Sequence, residues 1–204
     1  FVVIDLDHTV VGSSFFRVLI GGAKPMPDSL RVTKAIAKKY GIIYLTQRPE
    51  LLTRRSKDWL SKQGYPKGPL LLSELKEALA GSAKFKSSEL ALTRKRFPGI
   101  QIGIGDKPSD AQAYVDNGMK AYLLPHYKDK AKDMRKMAKS IRELRGQGRL
   151  QVVKNWEQIE AGILKGKKFS AEDFVKYLQE RAERLAYEER LREEEDEKDD
   201  DDDD

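Results

Sequence analysis

Short apolar runs alternate along this chain with stretches in which apolar residues recur every three or four positions. The runs are Phe1–Ile4 (FVVI), Gly41–Thr46 (GIIYLT), Pro69–Leu72 (PLLL), Ile100–Gly105 (IQIGIG) and Lys120–Leu124 (KAYLL), with a weaker one at Leu150–Val153. Brief, continuous, β-branched runs of this kind predict strands buried on both faces. Helical periodicity lies between them, near Asp28–Tyr40, Glu50–Gln63, Lys86–Arg96, Ser109–Asn117 and Asp129–Arg145. Strands alternating with helices predict βαβ units and an α/β fold with a mainly parallel central sheet. Gly64 and Gly118 each follow a helical pattern, as helix-ending glycines do.

The last part of the chain reads differently. Ser170 precedes a helical pattern, with Asp173 three residues on in the manner of a capping box. Phe174, Leu178, Ala182 and Leu185 then form one apolar stripe. From Glu188 the stripe gives way to acids that end in six aspartates. The expected organisation is a first domain over residues 1–165, a helix over 166–187, and an acidic tail over 188–204 that is disordered or a frayed, solvated helix. Such a tail either masks a basic body or binds a partner. No internal repeat is present.

Polar residues interrupt the first apolar run abruptly, at Asp5, Asp7 and Thr9. Open α/β sheets bind ligands at the carboxyl ends of their strands. Acidic groups leaving a buried strand are costly unless a cation offsets them. The pattern therefore points to a Mg²⁺ site with one carboxylate available for covalent chemistry. Three further segments point the same way. Thr46 closes the second strand just before a helix, where a hydroxyl and backbone N–H groups suit a phosphate. Lys86 opens the helix over 86–96, a cation able to reach a phosphoryl group. Asp106 and Asp110 follow the strand Ile100–Gly105, and Mg²⁺ takes carboxylate oxygens with water and substrate phosphate.

Composition narrows the chemistry. With no cysteine, the chain has no disulfide and no thiolate nucleophile, and with only two histidines a histidine-rich zinc centre is ruled against. No apolar run approaches the ~20 residues that span a bilayer. The chain starts inside an apparent strand, so it is expected to be part of a longer protein, and its compartment is left open. The net charge of +6 conceals an asymmetry: residues 188–204 carry thirteen acids and three bases, leaving residues 1–187 at +16. A basic body suits anionic partners, such as phosphorylated molecules, nucleic acid or an acidic lipid surface, and equally suits plain solubility.

Taken in order, D-x-D-x-T at Asp5–Thr9, the strand-ending Thr46, Lys86 and G-D-x-x-x-D at Gly105–Asp110 resemble the haloacid-dehalogenase superfamily of phosphotransferases. A closer similarity is to the lipin-type phosphatase domain, shared with phosphatidylinositol-transfer proteins. It is carried by Tyr44–Pro49 (YLTQRP), Trp59-Leu60-Ser61, Gly64–Gly68 (GYPKG), Lys84-Phe85-Lys86, Gly105–Ala111 (GDKPSDA) and Tyr114. It covers residues 1–125 and extends to a short closing helix at Trp156–Gly162. His8 stands where lipins have Gly, and Asp106 where they often have Asn. The transfer-protein relatives lack the first Asp of the pair, which this chain has as Asp5.

The resemblance implies a Rossmann-like three-layer sandwich. It also implies roles: Asp5 as nucleophile forming an aspartyl-phosphate, Asp7 as general acid and base, and Mg²⁺ held by Asp5, Asp106 and the Asp7 carbonyl. Thr46 and Lys86 would hold the phosphoryl group. Asp110, orienting Lys86 or a water, and Thr9 would support them. Arg48 reads as a head-group contact or an ordinary surface ion pair, and His8 as a shaper of leaving-group access or a packed side chain. His126 has no assigned role, and Trp59 and Trp156 read as core. Neither the segment Val10–Pro27, a flap or a hairpin, nor residues 47–85 has room for a cap of ~50 residues. An uncapped site favours bulky substrates. Three functions remain: hydrolysis of a lipid phosphate such as phosphatidic acid at an anionic membrane surface, the same chemistry on a phosphorylated protein, nucleic-acid end or metabolite, and non-catalytic binding of phospholipid head groups.

Overall fold

The computed structural model of the protein describes residues 1–12, 22–49, 52–73 and 90–201. Lys86 and the middle of the Val10–Pro27 segment lie outside the described residues. In order, the elements are β1 (Val2–Ile4), α1 (Ser29–Ala37), β2 (Ile42–Pro49), α2 (Thr53–Lys62), β3 (Leu70–Ser73), β4 (Ile102–Gly105), α3 (Pro108–Asp116), β5 (Lys120–Leu123), α4 (Ala131–Arg142), β6 (Leu150–Val152), α5 (Trp156–Leu164) and α6 (Ala171–Asp201). Residues 90–96 are also helical. Each strand begins on one of the apolar runs, but β2 does not end at Thr46 as expected: it continues through Arg48 to Pro49. Gly64 and Gly118 adopt φ of 76° and 72°, the left-handed conformation that ends a helix at little cost to glycine.

The chain forms two compact units. Residues 1–126 and 144–170 make the first, a six-stranded sheet in the order β3-β2-β1-β4-β5-β6 with every pairing parallel. It is a Rossmann-like α/β fold. β1 is central: Val2 pairs with both Ile42 and Ile102, Ile4 with both Tyr44 and Ile104. Val2, Val3 and Ile4 are wholly buried, so β1 is apolar on both faces because both faces are covered. The connections run to one side of β1 through α1 and β2, and to the other side through α3 and β5. Right-handed crossovers in opposite directions place these helices on opposite faces of the sheet. α1 packs against α5, and Arg31 of α1 bridges Asp28 and Glu160 at the rim. The order reverses between β1 and β4, and the crevice beyond their carboxyl ends is the place where such sheets take ligands.

The second unit comprises residues 127–143 and 171–204, within which α4 and α6 pack together. Met134, Ala138 and Ile141 of α4 and Phe174, Val175, Leu178 and Ala182 of α6 are buried. This differs from the expected division in one respect. Residues 127–143 do not belong with the rest of 1–165, because the apolar face of α4 is matched by the stripe on α6. Of the two forms expected for residues 188–204, disordered or a frayed helix, the chain takes the helix as far as Asp201. Glutamate-rich sequence propagates a helix once a packed first half has nucleated it. No helix among the described residues is long and apolar enough to cross a membrane.

Candidate functional site

Asp5 is the first residue past β1, and its N–H donates to the Ile104 carbonyl, extending the β1–β4 ladder by one step. Asp106 is the first residue past β4. Asp110 sits in the first turn of α3, which opens with Pro108, a residue suited to that position because it lacks the N–H that a helix start leaves unpaired. Asp5, Asp106 and Asp110 are 4%, 3% and 0% exposed. One carboxylate oxygen from each lies within 4.8 Å of the others. Gly105 makes the approach possible: a Cβ there would stand 2.9 Å from Asp110 Cβ and 3.0 Å from its Oδ2.

Three carboxylates so close, and so nearly dry, repel one another unless a cation sits among them. The donors are all hard oxygens, which suits Mg²⁺ or Ca²⁺ and disfavours softer metals. The residues present therefore fit the Mg²⁺ expected from the sequence. Asp110, expected to act behind the metal ligands, lies in the same cluster as Asp5 and Asp106. The Asp7 carboxylate is not part of the cluster.

Asp7 is held elsewhere. After Leu6 the chain turns back, with Val10 and Val11 N–H groups both donating to the Leu6 carbonyl. The Asp7 side chain, a quarter exposed, meets Arg48 in a two-pronged pair: Arg48 Nε donates to Oδ2 at 3.0 Å and Nη2 to Oδ1 at 2.8 Å. Arg48 is buried, and its Nη1 donates to Ser56 Oγ of α2 at 3.0 Å. It is thus no surface ion pair. Its backbone N–H donates to Thr46 Oγ1, and that hydroxyl lies 3.5 Å from Asp7 Oδ2. Thr46 and Arg48 alternate on one face of β2, the period-two signal that marks Arg48 as a partner of the site. Thr9 is buried, and its Oγ1 has no hydrogen-bond partner among the described residues.

His8 has φ of 56°, the left-handed region favoured by glycine, which the resembling lipins have there. Its ring stacks on that of His126, with centroids 4.1 Å apart and planes 17° off parallel. His126 follows β5, and its N–H donates to the Asp106 carbonyl at 3.4 Å. Burial pushes the His8 imidazole below its ordinary range, helped by the neighbouring His126 and Lys107 and opposed by Asp7. Nothing local in the sequence marks His126. Its only signal is topological, a position just past a strand two away from β1.

A family model for the LNS2 domain of PITM 1-3 matches residues 2–123. The chain belongs to the LNS2 family. LNS2 domains are lipin-like members of the haloacid-dehalogenase superfamily of phosphatases, so family and fold agree. The match spans β1 through β5 and with them all of Asp5, Asp7, Thr46, Asp106 and Asp110. No curated protein matches the chain. Trp59 and Trp156 are buried in the core of the first unit, as expected.

Proposed function

We propose that this LNS2 domain is a Mg²⁺-dependent phosphomonoester hydrolase that works through an aspartyl-phosphate on Asp5, acting on phosphatidic acid or a related phospholipid. The observation that carries this reading is the buried Asp5–Asp106–Asp110 cluster at the sheet's switch point, with an Arg48-held Asp7 two residues from the nucleophile. Mg²⁺ held by these three carboxylates and the Asp7 carbonyl would offset charge on the phosphoryl oxygens. Asp5 attacks phosphorus in line with the departing oxygen. Asp7 gives that oxygen its proton and then takes one from the water that releases phosphate. Thr46 and Lys86 hold the phosphoryl group.

The lipid preference rests on charge and access. No cap of domain size fits the sequence around the site. α4 exposes Lys132, Arg135, Lys136, Lys139 and Arg142, each base worth about 1 kcal/mol at an anionic membrane surface. The deciding experiment is Mg²⁺-dependent phosphate release from phosphatidic-acid vesicles, set against a phosphopeptide, a nucleotide and a sugar phosphate. Release from phosphatidic acid alone supports the lipid reading, and release only from a soluble or polymeric phosphoester moves the same chemistry to that substrate. The match to the LNS2 domain of PITM 1-3 favours a second reading, a non-catalytic module that binds phospholipid head groups. Vesicle binding with no release from any substrate would establish it. The presence of both Asp5 and Asp7 favours hydrolysis.

A further inference from the structure

We infer that Arg48 is a positioning residue that holds Asp7 as the proton acceptor for the second half of the reaction, hydrolysis of the phosphorylated Asp5. The inference rests on the proposed hydrolase function. Asp7 lies outside the sheet, bridged to Val11 across the turn at residues 8–10, and its side chain is a quarter exposed. Among the described residues, no hydrogen bond from the turn fixes the plane of its carboxylate. Arg48 does, because Nε and Nη2 engage the two oxygens separately. A paired fork of this kind sets orientation as well as charge, which a lysine cannot reproduce. Arg48 is in turn anchored at Nη1 by Ser56 and at its backbone by β2. The carboxylate is therefore oriented from α2 and β2, the half of the sheet opposite β4 and its Asp106.

Stability alone does not account for such a pair. A buried ion pair is frequently no better for folding than apolar residues of the same volume. What the pair does supply is a carboxylate aimed in one direction. That serves the hydrolytic step directly. Water adds to phosphorus, the bond between phosphorus and the Asp5 oxygen breaks with its electron pair returning to the Asp5 carboxylate, and the water's proton passes to Asp7. Inorganic phosphate leaves, and the proton on Asp7 goes to the departing oxygen of the next substrate.

An aryl phosphate separates the two halves. p-Nitrophenolate leaves without a proton, so formation of the aspartyl-phosphate from p-nitrophenyl phosphate bypasses Asp7, whereas its hydrolysis does not. The test is rapid-mixing kinetics of the full chain with Mg²⁺ and p-nitrophenyl phosphate, together with acid-quench measurement of the phosphorylated protein. In Arg48→Gln the hydrolysis rate should fall at least ~10²-fold, the scale for loss of a positioned proton acceptor. The formation rate should change far less, and a burst of nitrophenolate should appear with accumulation of the phosphorylated chain. Arg48→Lys should recover part of the hydrolysis rate. Equal loss in both halves, or no loss, would overturn the inference. If Arg48→Gln does not fold by circular dichroism, Ser56→Ala decides, with the same imbalance expected at smaller size and its absence counting against Arg48. A wild-type chain inactive on every phosphomonoester would instead remove the proposed hydrolase function, and this inference with it.

Discussion

The indole Nε1 of Trp156, at the start of α5, donates a 2.9 Å hydrogen bond to the carbonyl oxygen of Thr9. The two residues are 147 positions apart. The bond ties the turn that follows Asp5 and Asp7 to the far end of the same unit, so the closing helix holds that turn in place. Asn155 caps α5 by accepting from the Gln158 N–H, which fixes where Trp156 begins.

Trp156→Phe keeps a buried ring but leaves the Thr9 carbonyl without its donor. The expected cost is about 1–3 kcal/mol in urea unfolding, together with a lower rate of Mg²⁺-dependent phosphate release. Trp59→Phe is the control. Its indole donates to the Ala23 carbonyl rather than to Thr9, so it should cost similar stability with a smaller loss of rate. Equal rate losses in the two variants would show that the effect on activity is not local to the turn.

Mg²⁺ should stabilise the folded chain, because it relieves the repulsion among Asp5, Asp106 and Asp110. At 100 times its dissociation constant a ligand adds about 2.7 kcal/mol. For a chain of this size that raises the thermal midpoint by about 5–10 °C. Scanning calorimetry with and without EDTA measures it. Asp106→Asn should lose most of the rise. A midpoint indifferent to divalent ions would show that the cluster holds no metal.

Gly105→Ala probes the cluster without altering a ligand. The new methyl would crowd Asp110, forcing its carboxylate away from Asp5 and Asp106. Overpacking of this kind costs about 1–3 kcal/mol. The larger effect should appear in the Mg²⁺ concentration needed for half-maximal thermal shift, which should rise at least tenfold. Unchanged Mg²⁺ affinity would mean that Asp110 is dispensable for the ion.

His8 gives the fold a pH dependence of definite sign. Its folded-state pKa is lowered from 6.5, so the unfolded chain binds a proton there more readily than the folded one. The stability that follows is complete above pH 6.5 and is lost as the pH falls below it toward the folded-state value. His8→Asn tolerates the left-handed backbone and does not titrate. Thermal midpoints in EDTA from pH 7.5 downward should therefore decline less steeply in His8→Asn than in wild type. Parallel declines would assign the slope to other groups.

Hydrophobic patterning made the sheet legible, because parallel strands covered on both faces must be apolar throughout. The order β3-β2-β1-β4-β5-β6 was less accessible, since pairing between β1 and β4 depends on contacts a hundred residues apart. Asp5 and Asp106 could be read as strand-end acids. Asp110 was read as a supporting group because its distance to Asp5 depends on Gly105, whose missing side chain has no periodic signature. Arg48 was visible as a charged residue but not as a buried one: its partner Asp7 lies just before a turn whose path no local pattern encodes. His126 became relevant only through its stacking on His8.

β1 lies between β2 and β4, and this sets an order of events during synthesis. β2 is available to pair soon after β1 emerges, but the other edge of β1 must wait for residues 102–105. At translation speeds of ~5–20 residues per second that wait lasts several seconds. Throughout it, one edge of this wholly apolar strand is unpaired, and an unpaired apolar edge invites pairing with another chain. Arrival of β4 covers that edge and, in the same step, brings Asp106 beside Asp5. The step that closes this exposed edge is thus also the one that brings the first two members of the acidic cluster together.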